Sequence, residues 1–341
     1  MAGRRVTIED VARRAGVHKA TVSRALNPRT AGSVRPATIK LVKQAAAELG
    51  YVPNPLARGL RTRSSMTVGV IVPDLTNPIF PPLVRGVESV LQPRGYTALL
   101  ANTDGDTGKE LAAFASLRGR HVDGFILATG TLAGQEFLAE AHEQGVPVVM
   151  ANRTTAAASF PAVMADNAEG ARLAVRHLLE LGHRHLLVVE GPSRLSTARE
   201  RAAAVAGAVL GREDVTLERV EVDWFSQEAG RAAMAERLRR GGPLPTGVVA
   251  ANDLVALGAV RALRDHGLRC PEDVSVVGFN DMPFADELDP PLTTVAVPHH
   301  GIGAEAARVL LEGIDAGQVR ARTVVLPTEL RVRASTGPAP C

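Results

Sequence analysis

From Met66 onward the chain repeats one alternation: a short apolar run ending in a polar or glycine turn, then a stretch with helical spacing. VGVIVPD, YTALLANT, DGFILAT and VPVVMAN form a first series; after PAVMADN and a helical run over 168–181, HLLVVEG, RVEVDW, TGVVAAND and VSVVGFND form a second. Apolar runs without alternation suit strands covered on both faces, and strands interleaved with helices predict parallel sheets with helices on either side. Two such series predict two α/β lobes with a cleft between them. Ligands of open parallel sheets gather beyond the carboxyl ends of the strands, so polar residues there are the candidates for contact. In the first series these are Asn77 and Phe80, Asn102 and Asp104, and Asn152 and Arg153; in the second, Arg199, Trp224, Asn252, Asp253, Asn280 and Asp281. Amides, carboxylates and a guanidinium can each hold neighbouring hydroxyls, and an aromatic face packs on a sugar ring, so the set predicts a polyol-like ligand. Asn and Asp at strand ends also suit helix caps and turns, an alternative that weighs most for Asp253 and Asp281.

Ahead of this body stands TIEDVARRAGVHKATVSRALN, residues 7–27. Thr7 and Asp10 have capping-box spacing, and Ile8, Val11, Ala12 and Ala15 fall on one helical face. Gly16 permits the left-handed turn that stops this helix, and a second helix starts near His18 with Val22 and Leu26 pointing inward. Lys19, Ala20, Thr21, Ser23 and Arg24 are then left outside, a short, hydroxyl-rich and cationic face suited to phosphates and base edges in a major groove. A third helix begins at Pro36 and carries Ile39, Val42, Ala46 and Leu49 on one face until Gly50. Charge follows the same division. Residues 1–63 hold 13 Lys and Arg against three Asp and Glu, a net of +10 that leaves 26 basic and 33 acidic residues, or −7, for the rest. A basic head on an acidic body predicts a polyanion partner for the head alone.

The pattern T-I-x-D-V-A, A-G-V and T-V-S-R-x-L-N in the head closely resembles the helix-turn-helix of the LacI family of transcriptional regulators. His18 departs from it, standing where the family usually has a small hydroxyl residue that caps the second helix. The resemblance implies that Thr21, Ser23 and Asn27 grip phosphates while Lys19, Ala20 and Arg24 occupy base-reading positions. Residues 51–65 resemble the family's hinge helix. Asn54 is a good N-cap and Pro55 a good first residue, but about two turns are unstable alone, and Leu60 stands at the minor-groove wedge position. Asn54 and Leu60 thus join the expected DNA-binding set. The likeness extends over residues 66–333 and implies a core built like periplasmic sugar-binding proteins, crossed between lobes near Ala162, Thr293 and Arg322. The first lobe would comprise about 66–161 and 294–321, the second about 162–293 and 322–333, with 334–341 a tail. Arg199, Trp224, Asn252 and Asn280 match the family's effector-contact positions. Asn280 stands where many sugar-responsive relatives carry Asp, and Ile79 replaces a frequent aromatic, which points to a ligand less hydroxyl-rich than a simple sugar.

The expected fold is therefore a small all-α helix-turn-helix domain and hinge helix, followed by a two-lobed α/β core with parallel sheets of the type I periplasmic-binding-protein kind. The expected partners are double-stranded operator DNA, a small polar effector and a second copy of the chain, because one helix-turn-helix reads only a few base pairs. Repression is the expected sign, and catalysis is not expected. GIGAEA mimics a dinucleotide fingerprint, but Pro298, His299 and His300 intervene after the strand and no suitable ribose-binding acid follows. His183 with His185 and His299 with His300 lack a third ligand at metal spacing and are expected at the surface or at helix starts. No nucleophile-elbow sequence occurs, no cofactor motif stands, and Cys270 and Cys341 are expected to be free thiols. MAGRRVTIED carries no apolar run and no later stretch suits a bilayer, so a cytoplasmic protein without membrane contact is expected. The final ASTGPAPC lacks leucine heptads, which makes a dimer the default.

Overall fold

The computed structural model describes residues 6–26, 30–51, 64–132, 135–155 and 160–340. The chain divides into two units, Met1–Ser65 and Met66–Cys341. The described part of the first holds helices α1 Ile8–Ala15, α2 Lys19–Ala25 and α3 Pro36–Glu48. Val11, Ala15, Val22, Ala25, Val42 and Ala46 close its core. Ala25, not Leu26, lies deepest beside Val22; Leu26 ends α2 and is only half-buried. Small side chains at these positions let three short helices approach closely enough to exclude water.

The second unit opens with β1 Thr67–Val72, α4 Phe80–Leu91, β2 Thr97–Asn102, α5 Thr107–Gly119, β3 Gly124–Leu127, α6 Glu136–Glu143, β4 Val148–Ala151 and β5 Ala162–Ala165. It continues through α7 Asn167–Glu180, β6 His185–Glu190, α8 Ser196–Val209, β7 Thr216–Glu221, α9 Gln227–Arg239, β8 Gly247–Ala250, α10 Asp253–Asp265, β9 Ser275–Asn280 and β10 Thr293–Ala296. The elements α11 His299–Ala316, β11 Thr323–Leu326 and β12 Glu329–Arg331 complete it. Two sheets result, ordered β11-β5-β4-β3-β1-β2 and β12-β10-β9-β8-β6-β7. All pairings are parallel except β10 with β12. The order repeats strand for strand, as two similar series of runs predict. Central strands such as β3, β8 and β9 are buried along their whole length, whereas the edge strands β2 and β7 alternate exposed and half-buried residues. Burial on two faces demands continuous apolar sequence, and an edge does not.

The lobe crossings come a few residues later than expected. Ala162 starts β5, which still pairs in the first sheet with β4 and β11; Thr293 starts β10 in the second; Arg322 precedes β11 in the first. The chain changes lobe only after each strand is complete, at 166, 297–298 and 327–328. The Thr328 hydroxyl donates to the Asp166 carbonyl at 3.1 Å and ties the third crossing to the first. After the second crossing α11 lies along α4 and over β3, β4 and β5.

Residues 334–340 are not a free tail. Fully buried Ser335 donates from Oγ to the Val276 carbonyl at 2.6 Å and accepts from the Thr293 N–H at 2.8 Å. His183 is likewise fully buried, held between Thr246 Oγ1 at 3.0 Å and the Gly337 carbonyl at 3.1 Å, which corrects its expected surface place. Small polar residues read as a loop because their partners are far along the chain. Ser335→Ala should leave two buried main-chain groups unpaired and lower stability by about 1–3 kcal/mol. Urea unfolding of the variant measures this, and an unchanged midpoint would mean the segment is only laid against the lobe.

Candidate DNA-reading helix and effector cleft

Helix α1 starts at a full capping box: the Thr7 N–H donates to Asp10 Oδ2 at 2.9 Å and the Asp10 N–H to Thr7 Oγ1 at 3.4 Å. Gly16, at φ +65°, closes the helix with its N–H on the Ala12 and Arg13 carbonyls. His18 then does the work of the hydroxyl residue it replaces, because its Nδ1 accepts from the Ala20 N–H at 3.3 Å and caps α2. Lys19, Ala20 and Arg24 are exposed and Thr21 and Ser23 half-buried. Lys19 pairs with Glu9 at 3.2 Å and Arg24 Nε donates to the Ala20 carbonyl at 3.3 Å. Exposed contacts of this kind contribute at most about 1 kcal/mol, so both cations are free to exchange them for nucleic acid. Asn27, Asn54 and Leu60 lie outside the described residues.

In the core the strand ends converge on a small cavity. Thr103, Glu110, Thr129 and Arg153 line it from the first lobe, Arg194 and Trp224 from the second. Two hydrogen bonds clasp the lobes: the Thr154 N–H to Ser196 Oγ at 3.0 Å and the Leu132 N–H to the Arg194 carbonyl at 2.9 Å. The Trp224 ring lies so close to Gly105 that a Cβ there would overlap it. The Arg194 guanidinium sits 5.9 Å from the centre of the same ring. A larger depression lined by Arg172, Arg176 and Arg212 is open to solvent, and its arginines are paired with Glu169 and Asp214.

The sequence candidates divide by what their side chains do. Trp224 lines the cavity. Asn280, buried at φ +119°, accepts from Arg201 Nη2 at 3.4 Å. Asn152 is buried just past β4 at φ +65°. Asn77 Oδ1 accepts from the Ile79 N–H at 3.3 Å and Asn252 Oδ1 from the Val255 N–H at 2.9 Å, both as local caps. Asn102 braces its own loop, accepting from the Leu75 N–H and donating to Asp104. Phe80 is wholly buried in the apolar core. Asp281 pairs with Arg333 at 2.8 Å. Arg199 is exposed on α8.

Arg201 takes the buried position that its neighbour in the A-R-E-R run does not. It donates to Asn167 Oδ1 at 2.9 Å and the Ala251 carbonyl at 2.7 Å, and lies 3.6 Å from the Phe279 ring centre. Two residues along a helix are about 200° apart. Buried Ala198, Ala204 and Val205 flank Arg201 at helical spacing, so the inward stripe runs through 201 and leaves 199 outside. Glu110 and His299 were also not among the candidates. Glu110 accepts from Thr129 Oγ1 and Gln135 Nε2, and burial raises its carboxyl. Burial raises Asp253 to about 6, although Thr294 Oγ1 and the Met282 N–H donate to it. Among the described residues the buried side-chain polar atoms without a partner are Arg153 Nε and both ring nitrogens of His299. Burial lowers the guanidiniums, Arg153 to about 10 and Arg201 to about 9, each charge opposing the ionisation of something nearby. Both remain cations at neutral pH.

Residues 7–54 match the family model for bacterial regulatory proteins of the lacI family, and residues 175–336 that for a periplasmic binding protein-like domain. The chain is 36% identical over 330 residues to a ribose operon repressor of Halalkalibacterium halodurans, covering 97% of each chain. It is 35% identical over 339 residues to the HTH-type transcriptional repressor CytR of Escherichia coli strain K12, covering 98% of this chain and 97% of that one. The solved Lac repressor dimer bound to operator and the anti-inducer ONPF superposes with a TM-score of 0.83 at 29% identity, over 98% of this chain and all of that one. The chain belongs to the LacI family. Its function is that of a ligand-responsive DNA-binding regulator, with a helix-turn-helix head and a periplasmic-binding-protein-like core. Head and core form separate units, and among the described residues no helix is long and apolar enough to cross a membrane. No group of three or more His, Cys, Asp or Glu suited to a metal occurs among those residues.

His299 gives this LacI-family core a pH signature. Burial, and then the Arg201 charge, lower its imidazole from 6.5 to about 3, so between those values only the unfolded chain takes the proton. Stability from this group is complete above pH 6.5 and falls as pH drops, by about 1.4 kcal/mol per unit at full slope. His299→Leu removes that loss, so relative to wild type it should gain roughly 1 kcal/mol between pH 6 and pH 5. Denaturant titrations followed by Trp224 fluorescence at both pH values measure it, and parallel losses in the two proteins would place the His299 titration at its ordinary value.

Proposed function

We propose that this LacI-family chain represses transcription as a homodimer on a pseudo-palindromic operator, and that a small polar metabolite in the inter-lobe cleft adjusts that binding. The observation that carries the effector reading is the orphaning of Arg153 Nε and of both His299 nitrogens, since buried polar groups of folded proteins are nearly always paired. A ligand would supply the missing partners. Trp224, Asn280 and Asn152 from the sequence reading would share the site with Arg153 and Arg201, and Arg199 would not. Binding rather than turnover would be the task of such a cleft, whose buried carboxyl, Glu110, is engaged by the Thr129 hydroxyl. The site of action would be the cytoplasm, where operator DNA lies. Resemblance to the Lac repressor dimer supports pairing, as does Phe284, 74% exposed and held outward at φ +72°, a conformation costly for an aromatic residue.

On DNA, Lys19, Ala20 and Arg24 would read bases while Thr21, Ser23 and Asn27 hold phosphates, with Asn54 and Leu60 of the connector at the minor groove. Arg24→Ala should cost about 1–3 kcal/mol per half-site and blur base preference, whereas Ser23→Ala should weaken operator and random duplex alike. Fluorescence anisotropy on an operator selected from a random library distinguishes the two, and an unchanged operator-to-random ratio for Arg24→Ala would remove it from base reading. Phe284→Asp should shift the sedimentation coefficient from dimer towards monomer. A variant that sediments as wild type would place the dimer face elsewhere.

A further inference from the structure

Among the described residues neither Arg153, Arg194 nor Arg201 makes an ion pair, although 22 ion pairs form elsewhere. Arg153 is 3% exposed and its Nε has no partner; Arg201 is 8% exposed and donates only to neutral acceptors, the Asn167 and Asn280 side chains and the Ala251 carbonyl. Arg194 lines the cavity but is exposed, and it donates to the Asp223 carbonyl. The acids in reach are already engaged. Glu110 is held by Thr129 and Gln135, Glu200 by Asn167, and Asp253 by Thr294 and the Met282 N–H. Burial raises all three carboxyls above their ordinary range. The strand ends that could answer with charge, at 152 and 280, carry amides instead. Glu110 acts on Arg153, and Glu200 and Asp253 on Arg201, only through space, and a desolvated cation without a contact partner is costly; an anion in contact offsets part of that cost.

We infer that the effector is an anion: a hydroxylated metabolite carrying a carboxylate or phosphate that pairs with Arg153 from the first lobe and Arg194 from the second. This rests on the reading of the cleft as the effector site. Thr103 at the cavity wall offers a hydroxyl to the ligand's own, and Trp224 a ring to its apolar face.

The chain has a single tryptophan, Trp224, so its emission reports the cleft alone. The full-length protein is titrated at constant ionic strength with D-ribonate, D-ribose 5-phosphate and inorganic phosphate, and in parallel with neutral D-ribose, and D-gluconate with neutral D-glucose. At least one anionic sugar should shift Trp224 emission and raise Tm, with a Kd roughly ten-fold or more below that of its neutral parent, as a charge-assisted contact implies. The carboxylate and phosphate arms then tell the two anions apart, and inorganic phosphate should compete with either. Arg153→Gln should lose the anion's advantage and Arg153→Lys should keep part of it, while ligand-free Arg153→Gln melts no lower than wild type because an unpaired buried charge has gone. A neutral parent that binds better than its acid overturns the anion and leaves the cleft reading standing. Anions that stabilise the protein without changing Trp224, or equally in Arg153→Gln, bind elsewhere and overturn the inference. Silence of both reporters to every probe, inorganic phosphate included, counts against the inference and the cleft reading together.

Discussion

The Arg201 guanidinium sits over the Phe279 ring and donates to Asn167, the Ala251 carbonyl and Asn280. Those three acceptors follow β5, β8 and β9, so one side chain gathers the first lobe crossing and two strand ends of the second sheet. A desolvated cation over a ring and charged hydrogen bonds each contribute on the order of 2 kcal/mol, set against several for removing the charge from water. The post therefore holds only while its acceptors stay in place. It also sets the potential around it: it opposes ionisation of His299 and lies within reach of the Arg153 charge, so cations gather where the two lobes meet.

That gathering has a thermodynamic reading. A protein usually places its buried charges in pairs, and this one does so at Arg237, which reaches Glu218 and two carbonyls from a buried position. Leaving Arg153 without a carboxylate makes the ligand-free core less stable than it could be and transfers the missing interaction to whatever fills the cleft. A ligand that supplies it stabilises the core by mass action. The same interaction is what allows a ligand to favour one lobe arrangement over another, because only differential affinity shifts an equilibrium between states.

Much of the architecture was legible in the sequence because burial on two faces writes an unbroken apolar run. The central strands announce themselves, and the head does so through Thr7, Asp10 and Gly16. What was hidden depends on contacts distant in sequence or on helical phase. Ser335 looks like loop composition, yet its partners Val276 and Thr293 are buried strands of the second sheet. The crossings that the resemblance implies fall a few residues early, because a likeness along the chain does not say which sheet a boundary strand joins. Arg199 and Arg201 are chemically identical and two residues apart; only the burial of Ala198, Ala204 and Val205 tells which faces inward, because alanines stand on every face of this helix. Of the strand-end amides, Asn77 and Asn252 serve as caps, the alternative that spacing alone leaves open.

The departures from the family pattern then take different physical meanings. His18 is a substitution that conserves its task, since an imidazole nitrogen accepts the Ala20 N–H as a hydroxyl oxygen would. Asn280 keeps the shape of the aspartate found in many sugar-responsive relatives but not its charge, and with an amide also at 152 the arginines near both positions keep theirs uncompensated. Arg153 ends a strand of the first lobe and Arg194 precedes a helix of the second, whose carbonyl already receives the Leu132 N–H across the cleft. An anion shared between those guanidiniums would add to the hydrogen bonds that already join the lobes, and Coulomb attraction falls off with separation far less than contact packing does. A neutral ligand has only short-range contacts with which to favour closure, and the charge left on this cleft is what distinguishes the two cases.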